Sequence, residues 1–401
     1  MNKFREIYQR VYMFVFYNFA RLLKWREPVI LSGDNPLEMI SLKVKELNLS
    51  KCFVVLDPVI EQLGLSKGLT NSFIKNNIEY VVFNKVEPNP KIKDIEIGVK
   101  IYQESFCDSI IALGGGSTMD TAKAIGARIA RPDKSIEKMG GLLKVGRKIP
   151  TLFAIPTTAG TGSETTIAAV VTDEVTHHKY AINDLHLIPS YAVLDPSLTL
   201  GLPKTITAFT GMDALTHAVE GYISKSVPKK YKELAEDAIV KIFNNITKAY
   251  DDGSNYEARK EMLEASYKAG VVFTRVGLTY VHPIAHTLGG LYNVPHGLAN
   301  AVILPICLKA YGKTVYKKLA RLADITNIID KEASIEDKAN AFIRKIEELN
   351  DYMDITRKFD IKEEDISVMI EWAEIEANNA YYPPVILYEK DIEKIIREIM
   401  N

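Results

Sequence analysis

The sequence is poor in cysteine and carries almost no excess of charge, and both shortages restrict what the protein can be. Its 401 residues include three cysteines, Cys52, Cys107 and Cys307, which stand far apart and form no Cys-x-x-Cys pair. A disulfide framework and a thiolate zinc site are thereby excluded, and isolated thiols fit a reducing cytosol. The formal net charge of −1, without a long basic cluster, gives no electrostatic footprint for nucleic acid.

Long apolar runs are missing as well. Residues 1–27 carry six basic and two acidic side chains around the run Val11–Tyr17. The charge order resembles a secretory signal, but no small-residue cleavage site follows, and the run is far shorter than the roughly 20 residues that a membrane span needs. We expect a helical extension that packs against protein rather than against a membrane, in a cytoplasmic protein.

The length and the pattern of the chain predict two domains, since 401 residues exceed one typical core. Short apolar segments that alternate with helical ones predict strands, at Lys51–Leu56, Glu79–Phe83, Ser109–Leu113, Ile149–Ile155 and Tyr191–Leu194. Strands that are apolar on both faces indicate a mostly parallel sheet with helices on either side. We therefore predict an α/β domain over residues 1–202, with 1–27 as its helical extension.

Beyond the turn at 201–203 the strand signals fade. Amphipathic periodicity predicts helices at Ala235–Tyr250, Tyr256–Phe273, Ser334–Leu349 and Asp391–Met400. The charged stretch 354–365 reads as a helix-turn-helix passage. Residues 203–401 are accordingly predicted to form a helical domain.

A glycine-rich segment directly follows the predicted strand Ser109–Leu113. It runs GGGSTMDTAK over 114–123, and Ser117 is expected to open a helix. Glycines let backbone N–H groups approach a ligand closely, and the positive N-terminal end of a helix favours an anion. The segment matches neither Gly-x-Gly-x-x-Gly nor Walker A, yet it combines the same elements, so it predicts a pyrophosphate site; the alternative is a tight turn.

Two further segments fit nucleotide binding less specifically. Asp57 ends a predicted strand, where an acid can hydrogen-bond ribose hydroxyls and repel a 2′-phosphate. It precedes the glycine loop instead of following it, so the order is not that of a standard Rossmann domain, and a turn residue before Pro58 is the alternative. Residues 155–164 are rich in hydroxyls and glycine and form either a nucleotide loop or a plain connection.

Histidine and aspartate recur at helical spacing. Asp213 and His217 are four residues apart, as are His282 and His286, and His296 lies in a Pro-His-Gly turn. Residues four apart share one helix face, and imidazole with carboxylate suits a divalent first-row metal. One such pair alone would indicate buried, hydrogen-bonded helix residues, but two pairs beside a phosphate loop favour a metal site.

These segments, in this order, resemble the iron-containing (group III) alcohol dehydrogenase family. The matching stretches are GGGSTMDTAKAIG at 114–126, PTTAGTGSE at 156–164, LDPSLTLGLP at 194–203, TGMDALTHAVEGY at 210–222 and VHPIAHTLGGLYNVPHGLANAVILP at 281–305. The resemblance extends from about residue 28 to the end. It implies an α/β dinucleotide-binding domain with a mostly parallel sheet and a nucleotide-binding cleft, and an all-α C-terminal domain for metal and substrate, an architecture also called dehydroquinate synthase-like.

The resemblance also implies roles for individual residues. Asp213, His217, His282 and His296 match the family's metal ligands, usually for Fe²⁺ and sometimes for Zn²⁺. His286 matches a non-ligand histidine beside the nicotinamide, where it could relay the alcohol proton. Cofactor contacts are implied for Asp57, Gly115, Gly116, Ser117, Asp120, Thr157, Thr158, Thr161 and Lys179, and Asp57 stands where family members favour NAD over NADP.

The function implied is a metal-dependent oxidoreductase that transfers a hydride between NAD(H) and a primary alcohol/aldehyde pair, with the metal as a Lewis acid. The substrate would be a small alcohol or aldehyde, and the protein a homodimer or larger homo-oligomer. The first alternative is a zinc-dependent polyol dehydrogenase of the glycerol type; the retained His217 and Ser117 argue against it. Related sugar-acid lyases use NAD without net redox change, and net NADH production would separate them from a dehydrogenase.

A non-catalytic docking protein is the remaining alternative, and the intact metal set argues against it. Two features depart from the family pattern. The aromatic extension 1–27 is longer than the common start, and residues 381–384 read Tyr-Tyr-Pro-Pro where many members carry an Asn-Pro-Arg-like segment.

Overall fold

The computed structural model describes residues 2–174, 179–225 and 227–401, with the backbone alone for 2–5, 179 and 180. The chain divides into two units. An α/β unit comprises Lys24–Leu200, and a helical unit comprises Met1–Leu23 with Gly201–Asn401. The division falls beside the boundary that we predicted. Residues 1–23 group with the helical unit, whereas we had assigned them to the α/β domain.

In the described residues of the α/β unit, the chain forms nine strands. They are β1 (Val29–Leu31), β2 (Lys51–Leu56), β3 (Glu79–Phe83), β4 (Ser109–Gly114), β5 (Gly141–Leu142), β6 (Thr151–Pro156), β7 (Ala168–Thr172), β8 (Lys179–Asn183) and β9 (Tyr191–Val193). Six form a sheet in the order β1-β9-β6-β4-β2-β3, and every pair in it is parallel. The predicted parallel sheet is confirmed, and β2 and β3 have the predicted bounds.

The parallel sheet is covered on both faces. The helices of this unit are α2 (Pro36–Glu46), α3 (Pro58–Gln62), α4 (Lys67–Lys75), α5 (Ile92–Glu104), α6 (Gly116–Ala130) and α7 (Ile136–Met139). Alternate side chains of β2 enter two separate cores: Phe53 and Val55 join one, and Val54 and Leu56 join the other. This alternation explains why the strand is apolar throughout, because neither of its faces meets water.

The carboxyl ends of the central strands are aligned. Leu56 pairs with Leu113, and Gly114 pairs with Pro156. The chain passes from β2 to β3 on one side and returns to β4 on the other, so the order of strands switches between β2 and β4. In open α/β sheets, ligands bind at such a switch point, outside the carboxyl ends. The three predicted nucleotide segments all follow these aligned ends.

A second, three-stranded sheet in the order β5-β8-β7 was not predicted. It contains the antiparallel pair β7/β8. The strand β5 has only two residues, which is too short for hydrophobic alternation to reveal.

The helical unit contains the first helix and all helices after residue 203. They are α1 (Asn2–Leu22), α8 (Lys204–Ile223), α9 (Lys229–Asp251), α10 (Tyr256–Val276), α11 (Val281–Tyr292), α12 (His296–Tyr311), α13 (Lys313–Ile325), α14 (Ile335–Tyr352), α15 (Ile366–Ala380) and α16 (Glu389–Glu398). Helix α8 packs against α9, α10 and α12 and is buried almost all round from residue 207 onward. The predicted helix-turn-helix at 354–365 is wrong: that stretch is a loop ending in one 3₁₀ turn, Glu363–Asp365.

In the part of the chain that the structure describes, no helix has both the length and the apolar character needed to cross a membrane.

Candidate functional site

Four potential metal ligands converge in the helical unit. Helix α8 carries Asp213 and His217, α11 carries His282, and His296 is the first residue of α12. The Nε2 atoms of His217, His282 and His296 lie 3.9, 3.8 and 3.6 Å from Asp213 Oδ1. One ligand atom from each residue falls within 4.8 Å of all the others. Ligand atoms about 2.1 Å from a common tetrahedral ion would be about 3.4 Å apart, so small side-chain movements suffice to bind one.

The Pro-His-Gly turn explains how His296 reaches the cluster. A Cβ placed on Gly297 would lie 2.2 Å from the carbonyl oxygen of Phe209 and 3.3 Å from Cβ of Asp213. Only glycine allows α12 to begin this close to α8. The motif thus has a packing reason in addition to its histidine.

The protonation states in the cluster suit cation binding. Burial lowers the pKa of His282 well below its usual value and that of His296 to about 4, so both rings are neutral at pH 7. Burial raises the pKa of Asp213, but a larger opposite effect comes from His217, His296, His282 and the amide of Asn300. The pKa of Asp213 is therefore lowered overall. Neutral imidazoles and an ionised carboxylate are the forms that ligate metals.

Asn300 is a member of the cluster that sequence reasoning missed. Its fully buried amide donates to Asp213 Oδ1 at 2.8 Å and lies 3.1 Å from Nε2 of both His282 and His296. Its Oδ1 and Nδ1 of His217 are buried without a hydrogen-bond partner among the described residues. Asn300 is four residues after His296, so the helical spacing used for the histidines would have found it.

Glu220 binds the nitrogen of His282 that faces away from the cluster, and sequence reasoning missed this residue as well. It is seven residues after Asp213, on the same face of α8, and its carboxylate binds Nδ1 of His282. It also accepts the N–H groups of Thr279 and Val281, at 2.9 and 3.0 Å. Burial raises the pKa of Glu220 to about 7, although these hydrogen bonds act to lower it. A carboxylate on the far nitrogen fixes the ring of a metal-binding histidine and raises its basicity.

His286 lies beside the cluster without joining it. Its ring stacks on His296 at 5.2 Å between centroids. Nδ1 is 2.9 Å from both carboxylate oxygens of Glu376, which also accepts from the hydroxyl of Tyr381 at 2.9 Å. Burial raises the pKa of Glu376, but His286 and Tyr381 outweigh it and the net shift is downward. Tyr381 belongs to the segment that departs from the family pattern, and here it helps to orient His286.

In the α/β unit, the glycine loop and the hydroxyl-rich segment meet. A Cβ on Gly115 would lie 3.8 Å from Oγ1 of Thr158, and one on Gly116 would lie 3.2 Å from Cγ2 of Thr161. The N–H of Thr157 donates to the carbonyl of Gly114 at 3.2 Å. Helix α6 begins at Gly116, one residue before the predicted Ser117. Backbone N–H groups and hydroxyls thus gather at one helix N-terminus, which suits an anion.

Asp57 follows β2 at the same edge of the sheet. It caps α3, because its Oδ1 accepts from the N–H groups of Val59 and Ile60 at 2.9 and 3.0 Å. The turn role that we considered is therefore present, and it does not exclude a contact with ribose.

Asp120 belongs to a buried network. Its carboxylate accepts from Ser163 Oγ and from the N–H of Val170, both at 3.2 Å. Beside it, the ammonium of Lys123 is fully buried, and four acceptors lie within hydrogen-bond distance of its three N–H groups: Ser163 O and Oγ, Thr166 Oγ1 and Ala168 O. Lys123 ties α6 to the segment after the hydroxyl-rich loop, a role that the sequence did not reveal.

The predicted residues thus form two groups, one in each unit. The four metal-ligand candidates and His286 gather in the helical unit, and eight of the nine predicted cofactor residues follow the carboxyl ends of β2, β4 and β6. The ninth, Lys179, is on β8, and its side chain lies outside the described residues.

Comparisons with known proteins cover nearly the whole chain. The model of iron-containing alcohol dehydrogenases matches residues 28–196, and that of the C-terminal part of the Fe-containing alcohol dehydrogenase family matches residues 207–400. The 1,3-propanediol dehydrogenase of Citrobacter freundii is 37% identical over 372 residues, which cover 91% of this chain and 95% of that protein.

Two further relatives agree. The NAD-dependent methanol dehydrogenase of Bacillus methanolicus is 32% identical over 389 residues, which cover 93% of this chain and 98% of that protein. The crystal structure of a 1,3-propanediol oxidoreductase matches 94% of this chain and 100% of that chain, with a TM-score of 0.90 and 34% identity.

Proposed function

The chain belongs to the iron-containing alcohol dehydrogenase family, and we propose that it transfers a hydride between NAD(H) and a primary alcohol/aldehyde pair with the help of Fe²⁺. As a member of this family it is an oxidoreductase of alcohols and aldehydes. NAD is the expected dinucleotide, since one relative carries NAD dependence in its name and Asp57 stands where a 2′-phosphate would meet a negative charge.

The observation that carries the proposal is the convergence of Asp213, His217, His282 and His296 within 4.8 Å. One carboxylate and three imidazoles fit a divalent first-row ion, Fe²⁺ or Zn²⁺. When bound there, such an ion supplies a Lewis acid for the oxygen of the substrate. Glu220 holds His282 in orientation, and Asn300 holds the carboxylate of Asp213.

His286 handles the proton of the alcohol in this proposal. Glu376 accepts the proton on Nδ1 of His286, so the lone pair of the neutral ring is on Nε2. This atom takes the hydroxyl proton during oxidation and returns it during reduction. Glu376 and Tyr381 keep the ring in place while the proton moves.

The α/β unit binds the dinucleotide. The N-terminus of α6, with Gly115, Gly116 and Ser117, presents N–H groups to the pyrophosphate, and the hydroxyls of Thr158 and Thr161 lie beside them. We place the reaction in the cytosol, where three free and buried cysteines stay reduced.

Replacing His296 by alanine tests the proposal. Bound iron or zinc should fall well below one per chain, and NADH production from short primary alcohols should drop by about a thousandfold or more, since the Lewis acid is lost. His186→Ala is the matched control, because this half-buried histidine pairs with Asp184 in the α/β unit. Full metal content and normal turnover of His296→Ala would end the proposal.

A further inference from the structure

Helix α1 leaves a broad apolar face exposed. Eight large apolar side chains of this helix are between 42% and 80% exposed: Ile7, Tyr8, Val11, Tyr12, Phe14, Val15, Phe19 and Leu22. Together these side chains expose a surface on the order of 800 Å². The largest apolar patch on a typical monomeric protein is a few hundred Å². A face of this size is expected to have a partner.

The exposed side chains all lie on one side of the helix. At 100° per residue they fall within an arc of about 160°. Asn18 is the only polar residue within that arc. The opposite side carries Gln9, Met13 and Tyr17, which are buried. The sequence-based expectation of packing against protein thus holds for one face of the helix only.

The buried side fixes the orientation of the helix. Met13 and Tyr17 form a small core with Tyr382, and the hydroxyl of Tyr17 donates to the carbonyl of Ala380 at 3.0 Å. The guanidinium of Arg10 donates to the carbonyls of the two prolines at 383 and 384, at 2.6 and 3.2 Å. The helix therefore cannot rotate its apolar face inward without breaking these contacts.

Neither the family pattern nor the proposed reaction uses this helix. The match to the family model begins at residue 28, and α1 supplies none of the metal-ligand or cofactor candidates. Its apolar face consequently needs an explanation of its own.

The charge around the helix indicates the kind of surface that it meets. Residues 1–27 carry six basic side chains, Lys3, Arg5, Arg10, Arg21, Lys24 and Arg26, against two acidic ones, whereas the rest of the chain has an excess of acidic residues. Aromatic and aliphatic side chains on one face, with arginine and lysine in the same segment, are typical of helices that lie in a membrane interface. The cytoplasmic leaflet is negatively charged and attracts basic segments, by about 1 kcal/mol for each basic residue.

We propose that α1 lies flat on an anionic lipid surface and holds the enzyme there. Phe14, Val15 and Phe19 enter the boundary between headgroups and acyl chains. The rings of Tyr8 and Tyr12 stand at the level of the headgroups, where tyrosine is favoured.

A second copy of the chain fits this face less well. Pairing two α1 helices would bring together two segments that each carry six basic and two acidic side chains, and like charges across an interface are unfavourable. A lipid surface that contains phosphatidylglycerol has the opposite charge.

Sedimentation of the full-length, metal-loaded protein with vesicles tests the proposal. Binding to phosphatidylcholine–phosphatidylglycerol vesicles, and not to phosphatidylcholine alone, is expected, and added salt should weaken it. The double variant Phe14→Ser/Phe19→Ser should reduce the partition coefficient more than about tenfold, since each ring contributes apolar burial. Phe106→Ser is the matched control, because this phenylalanine is 85% exposed in the α/β unit. Turnover in solution should be equal in all three proteins.

Two kinds of result would overturn the proposal. One is equal binding to both vesicles, or binding to neither. The other result is seen without vesicles, when light scattering measures the size of the protein assembly. If the wild type forms an assembly and the variant Phe14→Ser/Phe19→Ser does not, this face is a subunit interface.

Discussion

Each unit contains a cluster of buried polar side chains, and the two clusters differ in how many of their acceptors receive a hydrogen bond from the protein itself. In the α/β unit, the ammonium of Lys123 meets four acceptors at 2.7–3.1 Å. In the helical unit, the carboxylate of Asp213 and three histidine nitrogens face one another. All four atoms can accept a hydrogen bond, and the donor that the structure places among them, in the described residues, is the amide of Asn300.

The difference separates a structural cluster from a binding cluster. Buried polar groups in native proteins are paired, because an unpaired donor or acceptor costs its desolvation energy. In the α/β unit Lys123 supplies a donor to four acceptors, and Oε1 of Glu164 is the neighbouring atom that is buried without a hydrogen-bond partner among the described residues. A cluster of converging acceptors suits a cation, and because burial lowers the pKa values of His282 and His296, neither of these two rings carries an extra proton at pH 7. The surplus of acceptors therefore indicates chemistry more directly than burial does.

The largest effect that would separate the two clusters is expected from Lys123→Met. This change takes one hydrogen bond from each of two carbonyls and two hydroxyls, and it removes the cation beside Asp120 and Glu164. The free energy of unfolding should fall by about 3 kcal/mol, as for other buried charges that lose a partner, while the metal content of the folded protein stays the same. Denaturation and metal analysis measure both.

Lys100→Met is the control for this change. Its side chain is 73% exposed on α5, and surface substitutions usually shift stability by less than about 0.5 kcal/mol. A loss of metal in Lys123→Met would contradict the view that the two clusters act separately.

The second prediction concerns the helical cluster. Asn300→Ala should weaken metal binding by about ten- to a hundredfold, because Asp213 loses the group that orients it, and should change the stability of the metal-free protein less than Lys123→Met does. Competition with a chelator, with Zn²⁺ as the probe, measures the affinity. Asn350→Ala is the matched control: this buried asparagine donates from α14 to the carbonyl of Ala301, the residue that follows Asn300 on α12. Equal affinities of the two variants would show that Asn300 only fills space.

The third prediction uses pH. Burial raises the pKa of Asp120 to about 6 and that of Glu164 to about 7, above their usual values near 4. The folded unit then keeps protons that the unfolded chain releases, so its stability is greatest below about pH 4 and falls as the pH rises to about 7, by about a few kcal/mol in total. Trp25 reports on the α/β unit once Trp372 is replaced by phenylalanine, since the chain has two tryptophans.

The removal of these carboxyls provides the control. Asp120→Asn/Glu164→Gln should flatten the dependence of α/β-unit stability on pH. A free energy of unfolding that rises between pH 5 and 7.5 would show that another group dominates. The histidine cluster has the opposite sign, because protonation of His282 or His296 at low pH destabilises the fold.

The sequence predicted those parts of the molecule that local patterns encode. The strands β2 and β3 appeared with their true bounds because both are unbroken apolar runs. Four-residue spacing placed Asp213 and His217 on one face of α8, and the resemblance to the family supplied His282 and His296, which lie beside them. The same spacing would have identified Asn300, and Glu220 is seven residues from Asp213.

Other features depend on contacts between distant residues, which one sequence does not contain. Glu376 reaches His286 from a helix ninety residues further along the chain. Lys123 looked like an ordinary helix residue, and its burial depends on the loop around Ser163 and Thr166. In the small sheet, β5 was missed since it has only two residues, and 354–365 was mistaken for helix because charged loops and charged helices share a composition.

The fourth and smallest effect is expected at Asp57, where the sequence left two roles open and the structure shows one of them. Asp57→Asn keeps an oxygen to cap α3 and removes the charge, whereas Asp57→Gly removes both at a cap cost of only a few tenths of a kcal/mol. If the charge repels a 2′-phosphate, both variants should raise the ratio of kcat/KM for NADP to that for NAD, by about three- to tenfold. Asp195→Asn is the control, because Asp195 caps a 3₁₀ turn by accepting from the N–H of Ser197 at 3.0 Å. An unchanged ratio in both Asp57 variants, with lower stability in Asp57→Gly alone, would make Asp57 a structural residue of the α/β unit, like Lys123.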